Sequence, residues 1–307
     1  MLDIISILQK KVAIYKEDEE ISFDVIDPDL YEGYAGCLVS IDGQNYIYRG
    51  YKAWADLAQL LMCKMLTPRQ SVYPLVKIRF KKLLREDSFH LQTNRPKEEK
   101  YGTDSLFFGI HKMEEPAFLY YYRQALQNVD IQNKKRILDL GINKADEFET
   151  IRQIVDSQTY QHMILVGIDH SQTALTHAQN SFPESNVQFH AHNINDLDTL
   201  DLGKFDLLIS IGTLQSPGIN FKPFFMSLIQ NYLTEDGSVI LGFPNSRWIG
   251  GEMIYGAKAP NYAMSEMSLL FNDVMFCKKY LQQHKFRVTI TGKEYIFLTA
   301  TKITKRS

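Results

Sequence analysis

Two periods of apolar residues alternate along the second part of the chain. Short continuous apolar runs are typical of strands buried on both faces, and apolar residues three or four apart are typical of helices packed on a sheet. The predicted strands are residues 136–140, 163–169, 187–190, 205–211, 238–243, 287–291 and 295–301, and the predicted helices are 147–156, 172–181, 222–233 and 274–283. This order predicts an α/β fold with a doubly wound, mostly parallel seven-stranded sheet that closes with a pair of strands.

The first part of the chain has a mixed pattern. Residues 2–12 have apolar side chains at helical spacing, and residues 36–49 are typical of a β-hairpin that turns at an Asp-Gly pair. Residues 51–65 again have helical spacing, which Pro68 is expected to end. A smaller α+β module is therefore predicted at the N-terminal end.

One strand of this module is predicted to have a basic face. Apolar and basic side chains alternate over residues 76–81, with Val76, Ile78 and Phe80 on one face and Lys77, Arg79 and Lys81 on the other. Residues 60–100 hold ten basic and four acidic side chains. Such a face can follow the phosphates of RNA, although a merely solvated strand face has the same composition.

A polar, charged stretch separates the two parts. Residues 84–104 are predicted to be a linker or loop, which gives an N-terminal module of residues 1–104 and a second domain of residues 105–307. Residues 105–129 are expected to form one helix, with a break near Pro116, ahead of the first strand of the second domain.

The composition of the chain says little about its function. The 307 residues are 45% hydrophobic and 23% charged with a net charge of −2, which is typical of a soluble globular protein without a general attraction to nucleic acid or membranes. The three cysteines are far apart and form no CxxC pair, so we expect reduced thiols. No signal peptide and no run of about 18 apolar residues is recognised, and the expected location is the cytoplasm, with no membrane partner.

Polar residues follow several predicted strands at their carboxyl ends, where open α/β sheets bind ligands. Asp139 and Gly141 end the first strand, and the glycine allows a tight turn into the next helix. Asp169 ends the second strand, where a carboxylate can accept hydrogen bonds from two ribose hydroxyls or cap the following helix. Asn193 follows the third strand, and its amide can contact an adenine edge while Ile194 packs on the ring.

Five motifs in this order resemble those of the class I S-adenosylmethionine-dependent methyltransferases over about residues 115–307. They are Ile-Leu-Asp-Leu-Gly (137–141), Gly-Ile-Asp-His-Ser (167–171), Asn-Ile-Asn-Asp-Leu (193–197), Phe-Asp-Leu-Leu-Ile-Ser (205–210) and Leu-Thr-Glu-Asp-Gly-Ser-Val-Ile-Leu (233–241). The resemblance implies a sheet whose last strand is antiparallel, and S-adenosylmethionine as the cofactor. The binding residues that it implies are Asp139, Gly141, Asn143, Asp169, His170, Asn193, Ile194 and Ser210.

The chain departs from the family pattern in the loop after the first strand. The usual Gly-x-Gly-x-Gly reads Gly141-Ile142-Asn143-Lys144-Ala145, and the usual acidic adenine contact is replaced by Asn193. Asn143 tolerates a left-handed backbone and Ala145 adds only a methyl group, so cofactor binding is expected, with a non-catalytic protein of the same fold as an alternative. A nicotinamide dehydrogenase would need G-x-G-x-x-G here, which the loop lacks.

The substrate side is predicted from the loops after the fourth and fifth strands. Residues 248–262 form a long aromatic and glycine-rich insertion, which we interpret as a substrate lid. Arg247 is a candidate to hold an anionic group, and Glu252 or Tyr255 is a candidate to take a proton, although all three can equally serve to pack the loop. We expect a small metabolite as the methyl acceptor, with RNA as the alternative. The histidines at 170, 177, 190 and 192 lack the spacing of a metal site.

Overall fold

The computed structural model describes residues 1–16, 19–83, 99–256 and 267–303. These residues form two compact units. One comprises residues 1–83 with Trp248–Tyr255, and the other comprises residues 99–247, 256 and 267–303. The domain boundary predicted after residue 104 stays a prediction, and residues 99–104 make the hydrogen bonds to the second unit that are given below.

The first unit is a small α+β structure. Its elements up to residue 83 are α1 (Leu2–Ile14), β1 (Glu20–Ile26), β2 (Leu38–Ile41), β3 (Gln44–Ile47), α2 (Tyr51–Leu60), β4 (Cys63–Gln70) and β5 (Leu75–Lys82). β2 and β3 form the predicted hairpin, and β1, β5 and β4 form a three-stranded antiparallel sheet in that order. Ile78 and Phe80 of β5 are fully buried against Trp54, which confirms the alternation predicted for this strand.

One helix prediction in this unit is wrong at its end. The helix expected to run to residue 65 stops at Leu60, because Met62 has a left-handed φ of 56° and the chain reverses into β4. Pro68 therefore lies inside a strand. β4 is an edge strand whose register with β5 shifts between Leu66 and Arg69, and such a site tolerates a residue without an N–H group.

The second unit contains the predicted seven-stranded sheet. Its helices and strands, with the short β11–β12 ribbon that contributes to both units, are α3 (Pro116–Asn128), β6 (Arg136–Leu140), α4 (Asp146–Ile154), α5 (Ser157–His162), β7 (Ile164–Asp169), α6 (Gln172–Ser181), β8 (Val187–Ala191), β9 (Phe205–Ile211), α7 (Phe221–Ser227), β10 (Leu233–Pro244), β11 (Ser246–Ile249), β12 (Glu252–Tyr255), α8 (Ser268–Gln283), β13 (Phe286–Gly292) and β14 (Tyr295–Lys302). The strand order is β13-β14-β10-β9-β6-β7-β8, and β14 is antiparallel to both of its neighbours.

Both faces of this sheet are covered, as continuous apolar strands require. Phe118 of α3, Phe148 of α4 and Leu175 of α6 pack on one face. Phe225 of α7 and Leu281 of α8 pack on the other. Five parallel strands therefore present their carboxyl ends at one common edge, between two helical layers.

Three helix limits differ from the predictions. The helix expected over residues 105–129 begins only at Pro116, a residue favoured at the first helical position, and a 3-10 turn at Lys112–Glu114 precedes it. The helix expected over 222–233 ends at Ser227 and continues as a π-helical turn, Leu228–Tyr232. The last helix begins at Ser268, six residues before the predicted start.

Within the described ranges, no helix combines the length and apolarity needed to cross a membrane. In the same ranges, no group of three or more metal-ligating His, Cys, Asp or Glu side chains comes together.

Candidate active site

The loop after β6 keeps a left-handed backbone at three alternate positions. Gly141, Asn143 and Ala145 have φ values of 79°, 48° and 68°. These are the three positions of the Gly-x-Gly-x-Gly pattern, and Asn143 and Ala145 have a positive φ, as Gly141 does. A left-handed conformation costs a non-glycine residue roughly 1–2 kcal/mol. Such strain persists only where the surrounding contacts fix the backbone, so the loop is held by its neighbours.

Gly141 is the tightest point of this loop. A Cβ atom added there would lie 1.9 Å from Oγ1 and 2.8 Å from Cβ of Thr213, which follows β9. The N–H groups of Gly141 and Ile142 donate to the carbonyl of Ile168 at 2.8 and 3.2 Å. The loop is therefore pressed between the ends of two neighbouring strands, and only glycine fits at its first position.

The Asp169 carboxylate links the two acidic strand ends. Its Oδ2 accepts from the N–H of Asn143 at 2.9 Å, and its Oδ1 accepts from the N–H of Ser171 at 2.9 Å. Asp169 is 5% exposed, and each carboxylate oxygen retains capacity for a further hydrogen bond. The neighbouring His170 is exposed, with Nδ1 3.6 Å from Asp169 Oδ1. Ser171, and not Asp169, caps α6 through the N–H of Ala174.

A segment that the sequence assigned partly to a linker lies along this loop. The side-chain amide of Asn143 donates to the Tyr101 carbonyl at 2.8 Å. The Lys144 ammonium donates to the carbonyls of Phe108 and Ile110 at 3.0 and 2.9 Å. We call residues 99–111 the strap, because they cross the loop from the start of α6 to Lys144.

Glu99 fixes the other end of the strap. Its carboxylate accepts from the hydroxyls of Ser171 and Thr173, at the first turn of α6. Desolvation acts in the opposite direction, but the hydrogen bonds from Thr173 and Ser171 outweigh it and lower the pKa of Glu99 from its usual value. A carboxylate at a helix N-terminus also faces the favourable end of the helix dipole. The strap is therefore anchored beside Asp169 as well as over Asn143.

Two buried carboxyl groups lie behind the loop. Asp139 is 1% exposed, and its Oδ2 is buried without a hydrogen-bond partner in the described structure. Burial, and then the nearby charge of Glu147, raise the pKa of Asp139 well above its usual range. Burial also raises the pKa of Glu147 to about 7, although the positive charge of Lys112 works against this shift. This part of the edge therefore holds an acid that exchanges its proton near neutral pH.

Lys112 supplies the positive charge of this cluster. Its ammonium lies 5.5, 5.9 and 5.2 Å from the ring centroids of Phe107, Phe118 and Tyr295, which is the arrangement of a cation–π cage. Burial alone would lower the pKa of Lys112, but Tyr295 and then Glu147 outweigh this effect and raise it. Lys112 is therefore a fixed cation beside the two acids.

The remaining predicted cofactor residues lie along the same edge. The backbone N–H of His192 donates to the backbone carbonyl of Asp169 at 2.8 Å, and this hydrogen bond brings Asn193 next to Asp169. The Asn193 Oδ1 accepts from the N–H of Asn195 at 3.0 Å and caps a 3-10 helix, while Ile194 is buried. Ser210 is buried in the sheet, where its hydroxyl donates to the Leu140 carbonyl at 3.2 Å.

The predicted substrate residues are divided between the two units. Arg247 belongs to the second unit, whereas Glu252 and Tyr255 of β12 belong to the first. Glu252 forms an ion pair with Lys64 of the same unit, and Tyr255 is 49% exposed. Residues 257–262 of the predicted lid lie outside the described residues. The lid and the roles of these three side chains stay predictions.

The sequence pattern did not single out several residues at this edge. Glu147 follows the loop and was visible as an acid in the first turn of a helix, but this position is usually explained by the helix dipole. Lys112 and Tyr295 are 183 positions apart, and no spacing rule connects them. Thr213 is recognisable only because of the space that it takes from Gly141.

Comparison with known proteins identifies the domain. Residues 131–289, which are more than half of the chain, match a family model described as a methyltransferase domain. No curated protein matches the chain in sequence.

Three solved structures illustrate the similarity in fold. Precorrin-6y C5,15-methyltransferase from Geobacter metallireducens GS-15 is 12% identical, with a TM-score of 0.41 over 60% of this chain and 88% of its own. Magnesium protoporphyrin IX methyltransferase from Synechocystis PCC 6803 is 14% identical, with a TM-score of 0.42 over 69% and 100%. The plantazolicin methyltransferase BpumL is 11% identical, with a TM-score of 0.45 over 67% and 94%.

At these identities and TM-scores, the assignment rests on the family model and on the order of the seven strands. The chain belongs to the class I S-adenosylmethionine-dependent methyltransferase family.

Proposed function

We propose that this protein binds S-adenosylmethionine at the carboxyl ends of β6, β7 and β8 and transfers its methyl group to a small-molecule acceptor. The main support for this proposal is the loop after β6. Its backbone is left-handed at Gly141, Asn143 and Ala145, although two of the three glycines of the family pattern are replaced. Strained backbone held in place by neighbouring contacts occurs most often at functional sites, which supports a ligand-binding role for this loop.

The charges at this edge fit the charged groups of the cofactor. The buried Oδ2 of Asp139 has no partner in the described structure, and a positive α-ammonium group beside it would favour the charged form of this carboxyl, whose pKa is raised without the ligand. Lys112 is a caged cation beside it, which suits the α-carboxylate. Asp169 has acceptor capacity left for ribose hydroxyls, and the Asn193 amide can contact adenine.

The bound cofactor supplies a methyl group already activated on a positively charged sulfur. The protein therefore has to align the acceptor and keep water away, which is the main source of rate acceleration for such a reaction. The strap contributes to this role by covering the loop with hydrogen bonds from Asn143 and Lys144.

A small acceptor is favoured over RNA by the first unit's basic strand. The Arg79 guanidinium makes three hydrogen bonds to the Glu20 carboxylate, at 3.0, 2.8 and 2.6 Å. Asp24 of β1 lies opposite Lys77 in the strand register. Phosphate groups would have to compete with these acids for the basic face, which lowers its capacity for RNA.

Two measurements test this proposal. A product assay with radiolabelled S-adenosylmethionine and a panel of small-molecule acceptors should give methylated product, and absence of transfer to all acceptors in spite of cofactor binding would favour the non-catalytic alternative. RNA binding should be weak and unchanged in the Lys77→Glu, Lys81→Glu double variant. A salt-dependent RNA affinity that this variant abolishes would instead favour an RNA acceptor.

A further inference from the structure

A cavity of about 440 Å³ lies within the first unit, between α1, β1, β3 and α2. Its walls are mainly apolar and include Leu8 of α1, Phe23 of β1 and Trp54 of α2. This volume lies in the range of small-molecule sites, roughly 300–1,000 Å³. All residues that line the cavity belong to the first unit, and the methyl-transfer site described above uses none of them.

Two basic side chains are placed at this apolar cavity. Lys11 and Arg49 line it, and neither forms an ion pair with a carboxylate among the residues that the structure describes. Arg49 donates to the Ile47 carbonyl, and its guanidinium carbon lies 5.8 Å from the Trp54 ring centroid. Asp24 also lines the cavity, but its Oδ1 already accepts from the Ser71 hydroxyl at 2.7 Å. The polar lining therefore has an excess of positive charge.

Trp54 adds an unsatisfied hydrogen-bond donor. The residue is 2% exposed, and its indole N–H is buried without a hydrogen-bond partner in the described structure. A buried donor without a partner costs roughly 1–3 kcal/mol, so such groups in folded proteins usually have an explanation. Because this nitrogen has almost no accessible surface, a bound molecule could reach it only after a shift of the Trp54 ring.

We propose that this cavity binds an amphiphilic carboxylate, with an aliphatic or aromatic body against the apolar wall and an anionic end at Lys11 and Arg49. The apolar lining accounts for the body of the ligand, and the excess of positive charge accounts for the sign of its head group. The apolar body of the ligand contacts the apolar wall, and its carboxylate contacts Lys11 and Arg49. Binding therefore needs a ligand that has both an apolar body and an anionic end. The site does not depend on S-adenosylmethionine, because it lies within the first unit.

The experiment uses the intact chain and dodecanoate as the probe, below the concentration at which it forms micelles. The chain has two tryptophans, so a Trp248→Phe background makes the fluorescence of Trp54 the direct readout. Dodecanoate should change this fluorescence in a saturable way with one site per chain, and dodecyltrimethylammonium should not. Equal affinity for the cationic probe, or no saturation, would overturn the proposal.

Charge variants distinguish specific binding of the carboxylate from unspecific hydrophobic binding of the alkyl chain. Arg49→Gln and Lys11→Gln should each weaken dodecanoate binding about tenfold, which is the usual effect of losing one charge-assisted hydrogen bond. Lys52→Gln is the matched control, because Lys52 is exposed and pairs with Asp56 away from the cavity. Lys11 is exposed on α1, so its variant tests the proposal even if Arg49→Gln disturbs the packing on Trp54.

Two further outcomes would contradict the proposal. Unchanged dodecanoate affinity in both charge variants would show that Lys11 and Arg49 do not bind the carboxylate. Concentration-dependent dimerisation that Ile7→Asp abolishes, with no dodecanoate binding to the monomer, would show that a second copy of the chain covers the cavity.

Discussion

Gly141→Ala tests whether the loop after β6 has the close approach that the structure shows. The new Cβ would lie 1.9 Å from Thr213 Oγ1 and 2.8 Å from Thr213 Cβ, on a residue with φ of 79°. The left-handed backbone costs alanine roughly 1–2 kcal/mol, and overpacking of a filled site adds roughly 1–3 kcal/mol. Loss of unfolded-state freedom returns about 0.4–1 kcal/mol. We therefore expect a loss of about 1–5 kcal/mol in the free energy of unfolding.

Gly203→Ala is the matched control for backbone strain. Gly203 is in the same unit with φ of 69°, but its added Cβ would meet its nearest neighbour, Arg136 Nη1, only at 3.6 Å, an ordinary contact. This variant should lose only the strain contribution, about 1 kcal/mol or less after the gain from the unfolded state. Urea unfolding followed by circular dichroism measures both variants.

A second substitution isolates the contact with Thr213. In a Thr213→Gly background, the atoms that block the new Cβ are absent, so Gly141→Ala should cost about 1–3 kcal/mol less than it does in the wild-type chain. Equal losses in Gly141→Ala and Gly203→Ala, or no coupling to Thr213, would refute the close approach of the two strand ends.

Two other predictions concern the buried acid and the adenine contact. The raised pKa of Glu147, about 7 in the folded state against 4.5 as the reference value, means that the folded state binds a proton more tightly, so stability falls as pH rises from about 4.5 through 7. Glu147→Gln should remove up to about 3 kcal/mol of this pH dependence in urea unfolding between pH 5 and 8, and an unchanged slope would contradict the assignment. Asn193→Asp restores the acid of the family pattern and keeps the cap on Asn195, so we expect unchanged stability and cofactor binding tighter by about fivefold, whereas weaker binding in titration calorimetry would place the adenine elsewhere.

The sheet of the second unit could be predicted from sequence because its strands are buried on both faces. A strand such as β9 then reads as a continuous apolar run, and the acids at strand ends stand out against it. The same reasoning located Asp139 and Asp169, since the carboxyl ends of parallel strands meet at one edge. The predicted strand order therefore placed both acids at the carboxyl edge of the sheet, although each motif alone is weak.

The strap could not be predicted in the same way. Asn143 and Lys144 hold it by hydrogen bonds to the backbone carbonyls of Tyr101, Phe108 and Ile110, and every residue has a backbone carbonyl. The helix predicted through residues 105–115 is wrong for a related reason, because Phe107 contacts Lys112 and Phe108 contacts Lys144 and His177, and such contacts leave no helical pattern in the sequence.

The left-handed Ala145 shows the limit of residue preference. Alanine strongly favours a right-handed helix, and the sequence alone indicates only that a methyl group is added to a glycine position. In the structure Ala145 is fully buried in the core below the sheet and precedes α4 with φ of 68°. Tertiary packing decides its conformation, which no local pattern contains.

Titration calorimetry of the intact chain with S-adenosylmethionine tests directly whether the loop after β6 holds the cofactor. We expect saturable binding of one molecule per chain, with S-adenosylhomocysteine competing for the same site. Absence of measurable heat at millimolar ligand, for protein shown to be folded by circular dichroism, would contradict the claim that the loop of Gly141, Asn143 and Ala145 still holds the cofactor.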